Sequence, residues 1–268
     1  MTDVGYFGPD SVTWRVHGEP ATMVGGLRAL LLQALHPDAM QLLYARSNFQ
    51  DDPWARLQRT VRYVVTVSFG ARAEVDAAAA QVRSVHHRLG IADPGQLAWV
   101  HACQVDSFLS AARAAGVRLG PAEEDRYVAE QAVAASLVEV PAELTPQTVD
   151  ELDRYMARMR SQLACTPEAR EAARTVIAPS LPVPAKYVVP ARFGWTIISL
   201  LAVGLLPDWA RRMYRVPPIP GTTFVATGGM RVLRRTVQML PDRFREGPAY
   251  RAAKARVAET GDVSLGSG

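Results

Sequence analysis

The chain has 268 residues, 49% of them hydrophobic and 21% charged, which provides a sizeable core and excludes a disordered tail or a collagen-like repeat. Its two cysteines, Cys103 and Cys165, exclude a disulfide-stapled scaffold and a cysteine-ligated zinc or iron–sulfur site. The net charge is only +4 and the sole lysines are Lys186 and Lys254, so the pI near 9.3 reflects scattered arginines that do not titrate near neutral pH, not a nucleic-acid footprint.

The first twenty residues contain acids and two prolines and lack an apolar h-region. The expected compartment is therefore the cytoplasm. They are expected to form an extension ahead of one helical domain over 21–259, with 260–268 as a tail. Leu27, Leu30, Leu31 and Leu35 recur at helical spacing up to a His36-Pro37 break. Asp52-Pro53 is a helix start, with Asp as cap and Pro at the first position. That helix carries Leu57, Val61, Val64 and Val65 on one face and stops near Gly70. Its VTVSF run (65–69) is β-branched but continues the helical pattern. A second helix runs from 71 to 89 and ends at Gly90. A third follows Asp93-Pro94 and runs to Ala115, with Gly116 as its cap. Further helices are predicted near 121–136, 146–162, 166–177, 193–205, 227–239 and 247–259, with proline-rich joints at 179–184 and 217–220. Period-2 strand runs are absent, so the predicted fold class is all-α, a single helical domain. The run WTIISLLAVGLL (195–206) has twelve residues, short of the roughly 20 that span a bilayer, and reads as a buried core helix. Arg192, Arg211, Arg212 and Arg215 around it leave a second option, a helix lying on a membrane surface.

Chemistry concentrates in three places. Residues 56, 59, 60 and 63 share a helical stripe that presents Arg56, Arg59, Thr60 and Tyr63 beside the apolar Leu57, Val61 and Val64. Any one of them alone reads as a solvated surface residue; the set also suits an anionic ligand or an oxygen species. His86 shares a face with Val75, Ala79, Val82 and Leu89, behind an Ala77–Ala80 run of small residues. Such a face admits a flat macrocycle with an imidazole for its metal, although a lone inward histidine is more often a hydrogen-bonded core residue. His87 points about 100° away and reads as exposed. His101 lies on a face with Leu97, Gln104, Val105 and Phe108, where the plain reading is a core histidine beside Trp99. No HExxH, CxxC, GxGxxG, P-loop or GxSxG pattern is present, and no histidine follows a Glu by three residues, which disfavours zinc proteases, Rossmann oxidoreductases, NTPases, α/β-hydrolases and ferritin-like di-iron proteins.

The order GGLRALLLQALHPDA, FQDDPWARLQRT, VSFG, VRSVHHRLG, DPGQLAWVHA resembles the superfamily of MpaB-type oxygenases and latex-clearing proteins (rubber oxygenases), from about residue 12 to about 250. The resemblance implies a globin-like helical core, a bound haem b with a histidine as axial iron ligand, and oxygenation of an apolar, isoprenoid-like substrate. By that resemblance Arg56, Arg59 and Thr60 match the R-x-x-K-T helix lining the haem pocket and are the implied catalytic and cofactor-contacting residues, with Arg59 where rubber oxygenases have lysine. His86 matches the R-x-x-H histidine and is the implied iron ligand. His101 matches the WVHA histidine and is assigned to the cofactor pocket. The glutamate used as a base in rubber oxygenases has no counterpart; the matching segment, HPDAMQLL, offers only Asp38. The implied partners are dioxygen and a hydrophobic small molecule, without nucleic acid or a membrane span. Three readings stand side by side: a haem-dependent oxygenase, a haem-binding protein without turnover, and a helical interaction protein of the same fold.

Overall fold

Among the described residues proline opens six helices, at Pro37, Pro53, Pro94, Pro121, Pro167 and Pro248. At the first helical position the missing N–H is one that would have no intrahelical partner, and the fixed φ is already helical. The computed structural model describes residues 3–46 and 52–265. Among these the elements are helical and no strand occurs: α1 (Val12–His17), α2 (Thr22–Gln33), α3 (Pro37–Arg46), α4 (Pro53–Phe69), α5 (Arg72–Leu89), α6 (Pro94–Ala115), α7 (Pro121–Ser136), α8 (Val149–Met159), α9 (Pro167–Ile177), α10 (Ala185–Gly204), α11 (Asp208–Met213), α12 (Thr222–Gln238), α13 (Asp242–Arg245) and α14 (Pro248–Leu265). The all-α, single-domain reading holds. Both Asp-Pro starts act as caps: Asp52 accepts from the Ala55 N–H and Asp93 from the Gln96 N–H, each at 2.9 Å. Gly90 and Gly116 close α5 and α6 at φ +64° and +78°, the left-handed conformation in which a Cβ is penalised.

Helix α6 is the axle. Its buried alanines, among them Ala98, Ala102, Ala111 and Ala112, let α2 and α12 lie close against it. The α2 crossing is tightest at Gly25, where an added Cβ would sit 2.9 Å from the Phe108 ring and 3.0 Å from the Ser107 carbonyl oxygen. Arg28, buried one turn further on, spans three elements. Its Nε donates to the Leu205 carbonyl (2.9 Å), and Nη1 donates to Asp106 Oδ2 (2.6 Å) and Ser107 Oγ (2.7 Å). The short α1 belongs to the body: Val12, Trp14 and Val16 are buried, and Glu130 of α7 accepts from the Val12 and Thr13 N–H groups (3.2 and 2.8 Å).

Two departures from the sequence reading bear on function. Helix α10 begins at Ala185, two turns before the predicted 193, and runs through Pro190. Proline there removes a single hydrogen bond close to the helix start, which packing of the remainder tolerates. Its buried side, Leu201, Ala202 and Leu205, joins Ala226 and Met230 of α12, while Val189, Phe193, Ile197 and Leu200 are exposed. Within 195–206 the second half fits the core-helix reading, with Leu201, Ala202, Leu205 and Leu206 buried, while Ile197 and Leu200 are exposed. The helix extends beyond the twelve-residue run, and Lys186–Gly204 is long and apolar enough to cross a membrane by length and composition alone. The C-terminal segment is likewise docked: Arg256 donates to the carbonyls of Asp3 (2.9 Å) and Phe69 (2.6 Å), and Ala253 is buried.

Candidate functional site

Helices α4 and α5 form a hairpin fixed at its turn and open at its far end. The buried residues of α4 are Val67, Ser68 and Phe69, and those of α5 are Val75 and Ala79. They pack with Phe7, Trp14 and Ala253. A second anchor lies below the turn: the His17 ring meets Ser68 Oγ (2.6 Å) through Nδ1 and the Tyr127 hydroxyl (3.0 Å) through Nε2. Burial drives the His17 pKa down to about 3, so the imidazole is neutral and structural. Sequence reasoning passed over it, because its partners come from α4 and α7.

The open end carries the predicted site. Arg56 and His86 are both half-buried, facing each other across the hairpin closely enough for their charges to interact. The His86 pKa is lowered, first by burial and then by the Arg56 guanidinium, against a smaller opposing effect of Glu139. The imidazole is thus held neutral, the form that ligates a metal. Its Nδ1 is buried without a hydrogen-bond partner, as are the Tyr63 hydroxyl and the Trp54 indole N–H on α4. Burial lowers the Arg56 pKa, reinforced by Arg59, and raises that of Tyr63 to about 12. Three orphaned polar groups within one hairpin are costly unless something else satisfies them.

On its other side Arg56 lines a crevice with Trp54, Leu57 and Thr60, closed by Leu30 of α2, Val176 of α9 and Trp195 of α10. The Trp54 and Trp195 rings meet edge to face at 5.6 Å, and Trp195 Nε1 donates to the Val176 carbonyl (3.0 Å). The Thr60 hydroxyl donates to the Arg56 carbonyl oxygen (3.2 Å). The volume is about 70 Å³, below the roughly 300–1,000 Å³ of small-molecule pockets. The crevice in this form is therefore too small for a ligand of macrocycle size.

The remaining candidates lie apart. Arg59 is exposed and acts on Arg56 through charge. His87 is exposed and bonds Glu139 at 2.6 Å. His101 is half-buried on α6, its pKa driven down to about 4 by burial alone. His36 is buried, its Nδ1 accepting from the Ala39 N–H (3.3 Å), and Asp38 is exposed at the start of α3. The structure thus brings Arg56 and His86 together at the open end of the hairpin, leaves Thr60 exposed at the edge of the crevice, packs Tyr63 toward the turn cluster, and adds Trp54 and Trp195.

No group of three or more His, Cys, Asp or Glu side chains able to hold a metal ion occurs among the described residues. A haem does not need one, because the porphyrin supplies four donors and the protein a single axial imidazole. His86, neutral and with an unsatisfied buried nitrogen, fits that role, and Arg56 fits a propionate.

The fold is thus an all-helical domain with His86 and Arg56 half-buried in one hairpin. Residues 14–239 match the family described as "ER-bound oxygenase mpaB/B'/Rubber oxygenase, catalytic domain", and the chain belongs to that family. Searches of curated proteins and of solved structures gave no match.

Proposed function

We propose that the chain is a haem b-dependent oxygenase that acts on a hydrophobic, isoprenoid-like small molecule with dioxygen as co-substrate. The observation that carries the reading is the buried, partnerless Nδ1 of a neutral His86 beside Arg56, in a chain of an oxygenase family. The haem, when bound, supplies the oxygen activation. The chain's own residues do the rest. His86 would hold the iron. Arg56 would pair a propionate through two parallel N–H groups. Arg59, exposed, contributes charge rather than contact. Thr60, at the edge of the crevice, donates its hydroxyl proton to the Arg56 carbonyl. Trp54, Leu57 and Trp195 give the crevice apolar walls that exclude water and suit an apolar substrate. His101 is a pocket-supporting residue on the neighbouring α6.

The test is His86→Ala, with haem stoichiometry read by pyridine haemochrome on protein expressed with ample haem and checked for unchanged far-UV circular dichroism. Loss of haem is expected. Full occupancy with an unchanged Soret band refutes the assignment and moves it to His101 or His36. The small crevice favours a second reading, a protein of this fold that binds haem without turnover or binds none. Wild-type protein without a Soret band selects the cofactor-free form. A Soret band without oxygen consumption on isoprenoid substrates selects the non-catalytic one.

A further inference from the structure

The outer faces of α10 and α12 carry large apolar side chains that no described residue covers. Val189, Phe193 and Leu200 of α10 and Phe224, Val225 and Val232 of α12 are all exposed, Phe193 at 70% and Phe224 at 83%. On α10 the exposed positions 189, 193, 197 and 200 form a single stripe by helical spacing. On α12 the exposed residues lie opposite the buried Ala226 and Met230. The two helices pack against each other, so both stripes belong to the same pair of helices. Large exposed apolar side chains concentrated on one helix pair suit an interaction site.

Charge identifies the occupant. Residues 185–241 contain eight basic side chains, Lys186, Arg192, Arg211, Arg212, Arg215, Arg231, Arg234 and Arg235, and one acid, Asp208. That segment is +7 in a chain of net +4, so the remaining residues sum to −3. Arg211 is paired with Asp208 and Arg234 with Glu19, while Lys186, Arg192, Arg212, Arg215, Arg231 and Arg235 are exposed; a second copy would bring like charges against these six, which repulsion opposes. An anionic bilayer offers hydrocarbon to the aliphatic and phenyl side chains and negative headgroups to the arginines. The composition of α10 fits this: Lys186–Gly204 is apolar enough for a membrane span, yet only 22% of it is buried in the protein. It does not cross, because Leu201, Ala202 and Leu205 are packed against the body and the Ser199 hydroxyl donates to the Ile177 carbonyl (3.1 Å).

We propose that the α10–α12 face docks the protein on an anionic lipid bilayer, with the apolar stripe in the acyl boundary and the arginines at the headgroups. The inference does not depend on the cofactor. It places α10 between two environments, since Trp195 on its inner flank walls the α4 crevice while Phe193 on its outer flank faces lipid.

The test is flotation of the purified full-length chain with vesicles of phosphatidylcholine alone and of phosphatidylcholine mixed with phosphatidylserine. Wild type is expected to bind the mixed vesicles at least about tenfold better, since each arginine near the surface contributes about fivefold. Phe193→Ser/Phe224→Ser and Arg212→Glu/Arg235→Glu should each lose about tenfold or more; both pairs alter exposed side chains, so folding is retained. Moderate salt should weaken the binding without abolishing it, because the apolar contact is not screened. Three results overturn the proposal: no binding to either vesicle; binding to polyglutamate as tight as to mixed vesicles with the phenylalanine pair without effect, which reduces the face to charge alone; or a sedimenting dimer that the phenylalanine pair dissociates, with no vesicle binding, which makes the face a self-interface.

Discussion

Arg28→Ala is expected to be among the most destabilising single substitutions in the protein. The side chain is 5% exposed and its partner Asp106 19%. Truncation leaves the Asp106 carboxylate short of its counter-charge, and the Ser107 hydroxyl and Leu205 carbonyl short of a donor. Breaking a buried pair by removing one partner costs about 3–5 kcal/mol. Unfolding entropy of about 2.1 cal/mol/K per residue over 268 residues gives about 0.56 kcal/mol/K, so Tm should fall by about 5–9 °C. Thermal unfolding followed by far-UV circular dichroism measures it. Arg28→Lys keeps the charge and loses the fork of donors, so it should fall between wild type and Ala. The Leu205 carbonyl caps the end of α10, so amide exchange should rise there before it rises in α6. A Tm decrease below about 2 °C, equivalent to about 1 kcal/mol, would refute the reasoning, because it would mean that Asp106 is adequately solvated without its partner.

Acid should destabilise the protein before its carboxylates titrate. The imidazoles of His17 and His101, driven down by desolvation, have folded pKa values of about 3 and about 4 against 6.5 when unfolded. The unfolded chain therefore takes up protons first. The stability they contribute is complete above pH 6.5 and is lost as pH falls toward the folded values, at about 1.4 kcal/mol per pH unit for each, or about 2 kcal/mol each by pH 5. Denaturant melts at pH 7 and pH 5 measure this, and His17→Gln/His101→Gln should flatten the difference; an unchanged slope would show both rings to be solvated. At the hairpin, Arg56→Ala should lower haem retention more than Arg62→Ala, an exposed arginine on the same helix. Pyridine haemochrome on the two variants decides it, and equal retention would show Arg56 to be a bystander.

Local signals in the chain determined the helices and several of their ends. Asp52-Pro53 and Asp93-Pro94 start α4 and α6, and Gly90 and Gly116 stop α5 and α6, because caps and breakers act through backbone groups a few residues away. Helical periodicity likewise overrode the β-branched VTVSF run, since apolar spacing reports on a face and residue type alone does not. The order of motifs led to the oxygenase family. Tertiary structure decided the rest. Helical spacing put Arg56, Arg59 and Thr60 on one stripe, but the hairpin half-buries Arg56 beside His86 and leaves Arg59 in water. The His17–Ser68–Tyr127 node joins residues 51 and 110 positions apart, which no local pattern encodes. The apolar run in α10 is the clearest case: hydrophobic composition states that side chains prefer to leave water, and only the packing of neighbours decides whether protein, or another apolar phase, receives them.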